Sequence, residues 1–80
     1  MKRIDLQYFA ILREARGLSR ELRETEADSA RALYEELKGA YDFRLGPEHL
    51  KVAINGDFED FDHALKDGDQ VVFIPPVAGG

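Results

Sequence analysis

The apolar positions change their repeat along the chain. Over residues 2–9 they alternate, with Ile4, Leu6 and Tyr8 on one side, which is the period-two spacing of a strand with one buried face. The next segment, AILREAR, drops the alternation for helix formers carrying Ile11, Leu12 and Ala15. It is long enough only for a turn or two, and Gly17 offers a left-handed stop. Alternation returns more weakly over 18–25, with Leu18 and Leu22 set among charges, and predicts a strand half exposed to water. Ala30, Leu33, Tyr34, Leu37 and Tyr41 then fall on one helical stripe. Asp28 or Ser29 is a suitable N-cap, so a helix is predicted over 29–40, with Gly39 close to its end.

Residues 42–49 read as a loop turning at Gly46-Pro47. A short apolar strand over 50–54 runs into Asn55-Gly56, a hairpin turn signal, and a return strand over 58–61 should follow, with Phe58 and Phe61 tucked inward. Leu65 anchors a turn and Asp67-Gly68-Asp69 makes a tight one. The β-branched run QVVFI predicts a buried central strand, stopped by Pro75-Pro76 because neither proline can donate to a ladder. Strands gathered around one main helix give an α+β domain. The first and last strands are the strongest and would lie side by side and parallel. That is the β-grasp, or ubiquitin-like, arrangement: a mixed sheet of about five strands packed on one main helix. The domain is expected over residues 1–76, with a flexible Gly-Gly tail over 77–80.

Size and charge narrow the function. Eighty residues make one domain that buries roughly 60% of its unfolded surface, too little to wall a deep enzyme pocket. There is no cysteine, which excludes disulfides, thiolate metal sites and a side-chain sulfur nucleophile. A net charge of −5 argues against nucleic acid as a partner, since phosphate binding needs a lysine and arginine surface. No run of about 18 apolar residues predicts a membrane span, and the first residues lack the apolar stretch of a signal peptide. A cytoplasmic protein is expected.

Few residues offer chemistry. The acidic run Asp57-Phe58-Glu59-Asp60-Phe61-Asp62 lacks the glycine and closing glutamate of a calcium loop and reads as a solvated loop. His49 and His63 have no metal-ligand spacing, and no serine or cysteine nucleophile is evident beside His63; no metal site is predicted. The tail stands out. After Pro75-Pro76, Val77-Ala78-Gly79-Gly80 closes the sequence. A proline pair favours extended geometry, and two glycines without Cβ can thread a channel too narrow for other residues. The reactive group at that tip is the Gly80 carboxylate, a poor electrophile until it is activated.

The last twenty residues, from Phe61-Asp62-His63 through Asp67-Gly68-Asp69 and QVVFI to Pro75-Pro76-Val77-Ala78-Gly79-Gly80, closely resemble the C-terminal end of the small subunits of molybdopterin synthase, the MoaD family. Tyr8-Phe9-Ala10 followed by Leu12-Arg13-Glu14, and Val52-Ala53-Ile54-Asn55, carry the resemblance across the chain. It implies a ubiquitin-like β-grasp fold and a sulfur carrier that is no enzyme by itself. By this resemblance an activating enzyme related to the ubiquitin-activating enzymes uses ATP to adenylate Gly80, and a sulfurtransferase supplies sulfur to make a thiocarboxylate. Val77 to Gly80 then enter the large synthase subunit, where sulfur passes to cyclic pyranopterin monophosphate to build the molybdopterin dithiolene, within a heterotetramer. The carrier itself binds no cofactor. Pro75 and Pro76 would orient the tail. Phe9 and Phe73 are candidate interface residues, with core packing as the other role open to Phe73. A sulfur carrier for thiamine thiazole synthesis and a ubiquitin-like modifier joined to lysines through Gly80 are the alternative readings.

Overall fold

The chain places β1 (Lys2–Tyr8), α1 (Ala10–Arg16), β2 (Arg20–Thr25), α2 (Ala30–Tyr41), a 3-10 turn (Pro47–His49), β3 (Lys51–Ile54), β4 (Asp57–Glu59) and β5 (Gln70–Ile74) in that order. These elements come from a computed structural model that describes residues 1–76. The five strands form one sheet in the order β2-β1-β5-β3-β4. β1 and β5 pair in parallel, and the other neighbours are antiparallel. The mixed β-grasp sheet and the central position of β5 agree with the sequence reading.

Each strand has one inner face. Ile4, Leu6 and Tyr8 of β1, Val71 and Phe73 of β5, and Val52 and Ile54 of β3 point into the core and are buried. The stripe Ala30, Leu33, Tyr34 and Leu37 of α2 meets them, also buried, with Tyr41 packed at the margin. Ser29 Oγ accepts the Ala32 N–H at 3.1 Å and so caps α2. The helix runs through Gly39 and ends at Asp42, whose φ of 57° is left-handed. α1 stops where expected: Gly17, at φ 86°, donates its N–H to Arg13 O.

Two strands differ from expectation. β2 begins at Arg20 rather than at residue 18. β4 begins directly after the turn, because Asn55 (φ 53°) and Gly56 (φ 90°) make a two-residue left-handed turn, so Asp57 faces Ile54 at once. That register sets Phe58 opposite Ala53 on the outer face. The inward placement expected for Phe58 is therefore wrong: its side chain is 70% exposed. Phe61 does turn in, packing edge-on against Tyr34 and stacking on Phe73. Leu65 is buried as expected, and its N–H donates to Asp28 O at 2.9 Å.

A polar network ties α1 to the sheet. Arg16 donates from Nε (2.8 Å) and Nη2 (3.1 Å) to the Glu21 carboxylate, which also accepts the Tyr8 hydroxyl at 2.7 Å. The Arg16 guanidinium lies 4.1 Å from the centre of the Tyr41 ring. Arg16 holds the Glu21 carboxyl below its ordinary value near 4.5, against the opposing effect of burial. Burial and the Glu21 acceptor push the Tyr8 hydroxyl up. A carboxylate whose folded pKa is depressed contributes its full stability above its unfolded pKa and loses it as pH falls through the folded one. Glu21→Gln should therefore cost about 1–2 kcal/mol at pH 7, the scale of a charged hydrogen bond. Urea denaturation across pH should show the gap between variant and parent closing below the ordinary glutamate range.

Candidate functional site: the exit of the last strand and the face beside it

The proposed tail leaves the sheet at its centre. β5 lies between β1 and β3, and Pro75 after it is buried while Pro76 is exposed. The predicted tail residues Val77, Ala78, Gly79 and Gly80 lie outside the described residues. The exit itself is firmly held. Phe73 is wholly buried, its ring 5.1 Å from Tyr34 and stacked 6.1 Å from Phe61. Tyr34 donates its hydroxyl to Leu45 O at 2.7 Å, and burial pushes that hydroxyl's pKa up to about 12. Of the two roles open to Phe73, the structure gives core packing. The candidate interface role is corrected, because period-two alternation sends Phe73 inward and Val72 and Ile74 outward.

The outer face carries the exposed apolar residues beside the exit. Across it the register sets Gln7 beside Val72, Val72 beside Ala53, and Ala53 beside Phe58. One row nearer the exit, Lys51 faces Ile74. Phe9 follows the Tyr8–Phe73 pair and so comes level with Ile74; it is 41% exposed. Val72, Ala53 and Ile74 are half-buried, and the Lys51 ammonium stands 5.9 Å from the centre of the Phe58 ring. Phe9 thus keeps the exposed position a contact residue needs. Phe58, Val72 and Ile74 join it, and the sequence reading missed them. The signal was present in the alternation of QVVFI, which leaves every second residue on the outside.

Charge on this face is largely paired. Arg20 grips Asp5 through Nε (3.1 Å) and Nη2 (2.8 Å), which holds the Asp5 carboxyl below its ordinary value. Arg3 and Glu24 approach to 3.9 Å. On the helix side of the sheet, His63 meets Glu59 at 3.5 Å, and Asp62 holds Arg31 of α2 at 2.9 Å. Within the acidic run Glu59 and Asp62 are thus engaged with side chains, and no group of three or more potential metal ligands occurs among the described residues. Nor do the described residues include a helix long and apolar enough to cross a membrane. What the arrangement offers is a rigid exit beside an apolar face, with no nucleophile and base set together in it.

Comparison with known proteins follows this geometry. The ThiS family pattern matches residues 6–80. The chain is 34% identical to the molybdopterin synthase sulfur carrier subunit of Escherichia coli (strain K12), over 96% of this chain and 99% of that protein. Among solved structures it resembles a Pyrococcus furiosus protein described as molybdopterin converting factor, subunit 1, at 30% identity and TM-score 0.78, covering 96% of this chain and all of the other. It also resembles SAMP1 of Haloferax volcanii, a small archaeal modifier protein, at 26% identity and TM-score 0.77, covering 98% of this chain and 99% of that one.

The two phenylalanines separate core from surface. Phe73→Ala should cost about 3–5 kcal/mol, whereas Phe58→Ala should stay within about 0.5 kcal/mol of the parent. Chemical denaturation of both variants reads the difference, and equal losses would contradict the assigned faces.

Proposed function

The chain belongs to the ThiS family, among the sulfur carrier subunits of molybdopterin synthase, and on that basis we propose that Gly80 carries sulfur as a thiocarboxylate for the molybdopterin dithiolene. The observation that carries the reading is the exit itself. A buried Pro75 and an exposed Pro76 end the central strand, immediately before the slender Val77-Ala78-Gly79-Gly80 segment.

The chemistry suits these residues. With no cysteine in the chain, carried sulfur has the C-terminal carbonyl as its seat. A ubiquitin-activating-like adenylyltransferase joins the Gly80 carboxylate to the adenylyl group of ATP and releases pyrophosphate. The terminal sulfur of a sulfurtransferase persulfide then attacks the carbonyl carbon as the C–O bond to AMP breaks, and a thiol reductant cleaves the resulting S–S bond, which frees the sulfurtransferase and leaves the thiocarboxylate on Gly80. The large subunit receives the tail and holds cyclic pyranopterin monophosphate, to which the sulfur passes. ATP is used by the activating enzyme and is not a cofactor of this chain. The catalytic pocket belongs to the large subunit, two copies of each subunit make a heterotetramer, and the work takes place in the cytoplasm.

Reach constrains the contact. Four residues past Pro76 extend at most about 14 Å, so the acceptor must press against the domain around the exit. Phe9, Ile74 and Phe58 are placed for that contact, and the proline pair limits the entropy lost on insertion. The likeness to SAMP1 favours one second reading, a modifier joined to lysines through the same Gly80 acyl-adenylate. The ThiS family match leaves a sulfur carrier for thiazole synthesis as the alternative within the same chemistry.

Intact mass after incubation with the activating enzyme, ATP and a sulfur source should show one oxygen replaced by one sulfur at the C-terminus. A ladder of larger conjugates would instead support the modifier. Deleting Gly80, or adding one residue after it, should abolish sulfur transfer in a reconstituted synthase assay with the melting curve unchanged. Gly79→Val should block insertion by adding a branched Cβ. Full transfer by either tail variant overturns the role of the terminus.

A further inference from the structure

Among the described residues, three other than glycine adopt positive φ: Ala10 (52°), Asp42 (57°) and Asn55 (53°). Asp42 closes α2 and Asn55 makes the hairpin turn. Aspartate and asparagine are tolerated there because their short polar side chains bond locally. Alanine has no such compensation, so its Cβ bears the left-handed crowding against the following carbonyl. A residue held this way points to a local task.

The task is visible in its neighbours. Phe9, at φ −126° and ψ 154°, continues the extended course of β1. Tyr8 therefore faces inward, wholly buried, and Phe9 faces outward, 41% exposed. Two residues beyond Ala10, Leu12 is buried in the core. The Phe9 carbonyl accepts both the Leu12 N–H (3.1 Å) and the Arg13 N–H (3.4 Å). One left-handed residue thus turns the chain from an outward aromatic to an inward leucine with no loop between them. The far end of α1 is fixed by Arg16 on Glu21. With both sides of the junction anchored, the backbone at Ala10 makes the turn that lets β1 end with Phe9 outward and α1 begin with Leu12 inward.

We propose that Ala10 is a positioning residue, whose left-handed backbone holds Phe9 on the outer face at the strand exit for contact with the partner that receives Gly80. The proposal rests on the sulfur-carrier reading and adds to it a residue that touches neither tail nor substrate.

The test is a double-mutant cycle on the full chain, reading affinity for the large subunit of molybdopterin synthase together with the melting curve. Glycine enters the left-handed region freely and asparagine tolerates it, whereas valine, branched at Cβ, is strongly disfavoured there. Ala10→Gly and Ala10→Asn should bind within about twofold of the parent, since the backbone they favour is the one already present. Ala10→Val and Phe9→Ala should each weaken binding by about tenfold or more, the scale of a contact aromatic. Their combination should be no weaker than Phe9→Ala alone, because the one acts through the other. Should Ala10→Val lose its cooperative melt, Ala10→Leu supplies the same comparison without the branch. Parental affinity in the valine and leucine variants, or losses that multiply in the double variant, overturn the role of Ala10. A parent chain that neither binds the large subunit nor transfers sulfur overturns the sulfur-carrier reading itself.

Discussion

The parallel pairing of β1 with β5 is the constraint on which the rest of the molecule depends. Two parallel strands cannot be joined by a tight turn and need a crossover, and here everything from α1 to β4 lies between them. That crossover lays α2 across one face of the sheet and completes the core. The opposite face keeps Phe58 and Phe9 substantially exposed. The same pairing makes the strands run in one direction, so β1 hands over to Phe9 at the end of the sheet where β5 hands over to Pro75. An exposed aromatic from the start of the chain and the end of the central strand come together for one topological reason.

Rigidity at that point has its own source. Tyr34 of α2 touches Phe43, Phe61 and Phe73, rings drawn from two connecting segments and the central strand. Its hydroxyl, buried among them, is satisfied by Leu45 O, so the cluster leaves no polar group stranded. Phe73 therefore holds β5 from below while Val72 and Ile74 present its other edge outward. Burial of alternate residues supplies the anchor and their neighbours supply the surface. This is why a domain with so thin a core can still hold the end of its central strand fixed.

Much of this was legible in the residues. The period-two runs at Ile4-Leu6-Tyr8 and in QVVFI, the stripe on α2, and the stops at Gly17, Asn55-Gly56 and Gly68 all carry local physical signals, and all fall where the signals put them. What failed was nonlocal. Whether an aromatic beside a turn faces in or out depends on cross-strand register, and the partnership of Phe58 with Ala53 is set by the hairpin, not by the acidic residues around it. Phe73 was ambiguous for the same reason, since only its strand neighbours decide which alternate set is inner. The left-handed Ala10 had no signal at all: the alanine that opens AILREAR reads as ordinary helix former, and the crowding arises only because α1 must turn Leu12 inward while β1 sends Phe9 outward.

Smallness and the lack of cysteine, which first look like exclusions, become consequences of one arrangement. On the proposed reading, a chain that carries its reactive group at Gly80 needs no pocket, because the pocket belongs to whatever receives it. It needs instead a fixed departure point and a surface that recognises the receiver, since about 14 Å of leash cannot act while the domain drifts free. Recognition on the face beside the exit falls to apolar area, because Arg20 with Asp5 and Arg3 with Glu24 already satisfy one another, and exposed pairs of this kind add little to affinity. On that face Ile74 and Phe58 flank Lys51, and Phe9 lies level with Ile74 across β5. A receiver that fits them draws the tail along with the domain. One that does not fit leaves the terminus in water, where a carboxylate is inert and an activated one would be lost to hydrolysis. On the proposed sulfur-carrier reading, recognition by the folded domain therefore governs the chemistry at Gly80.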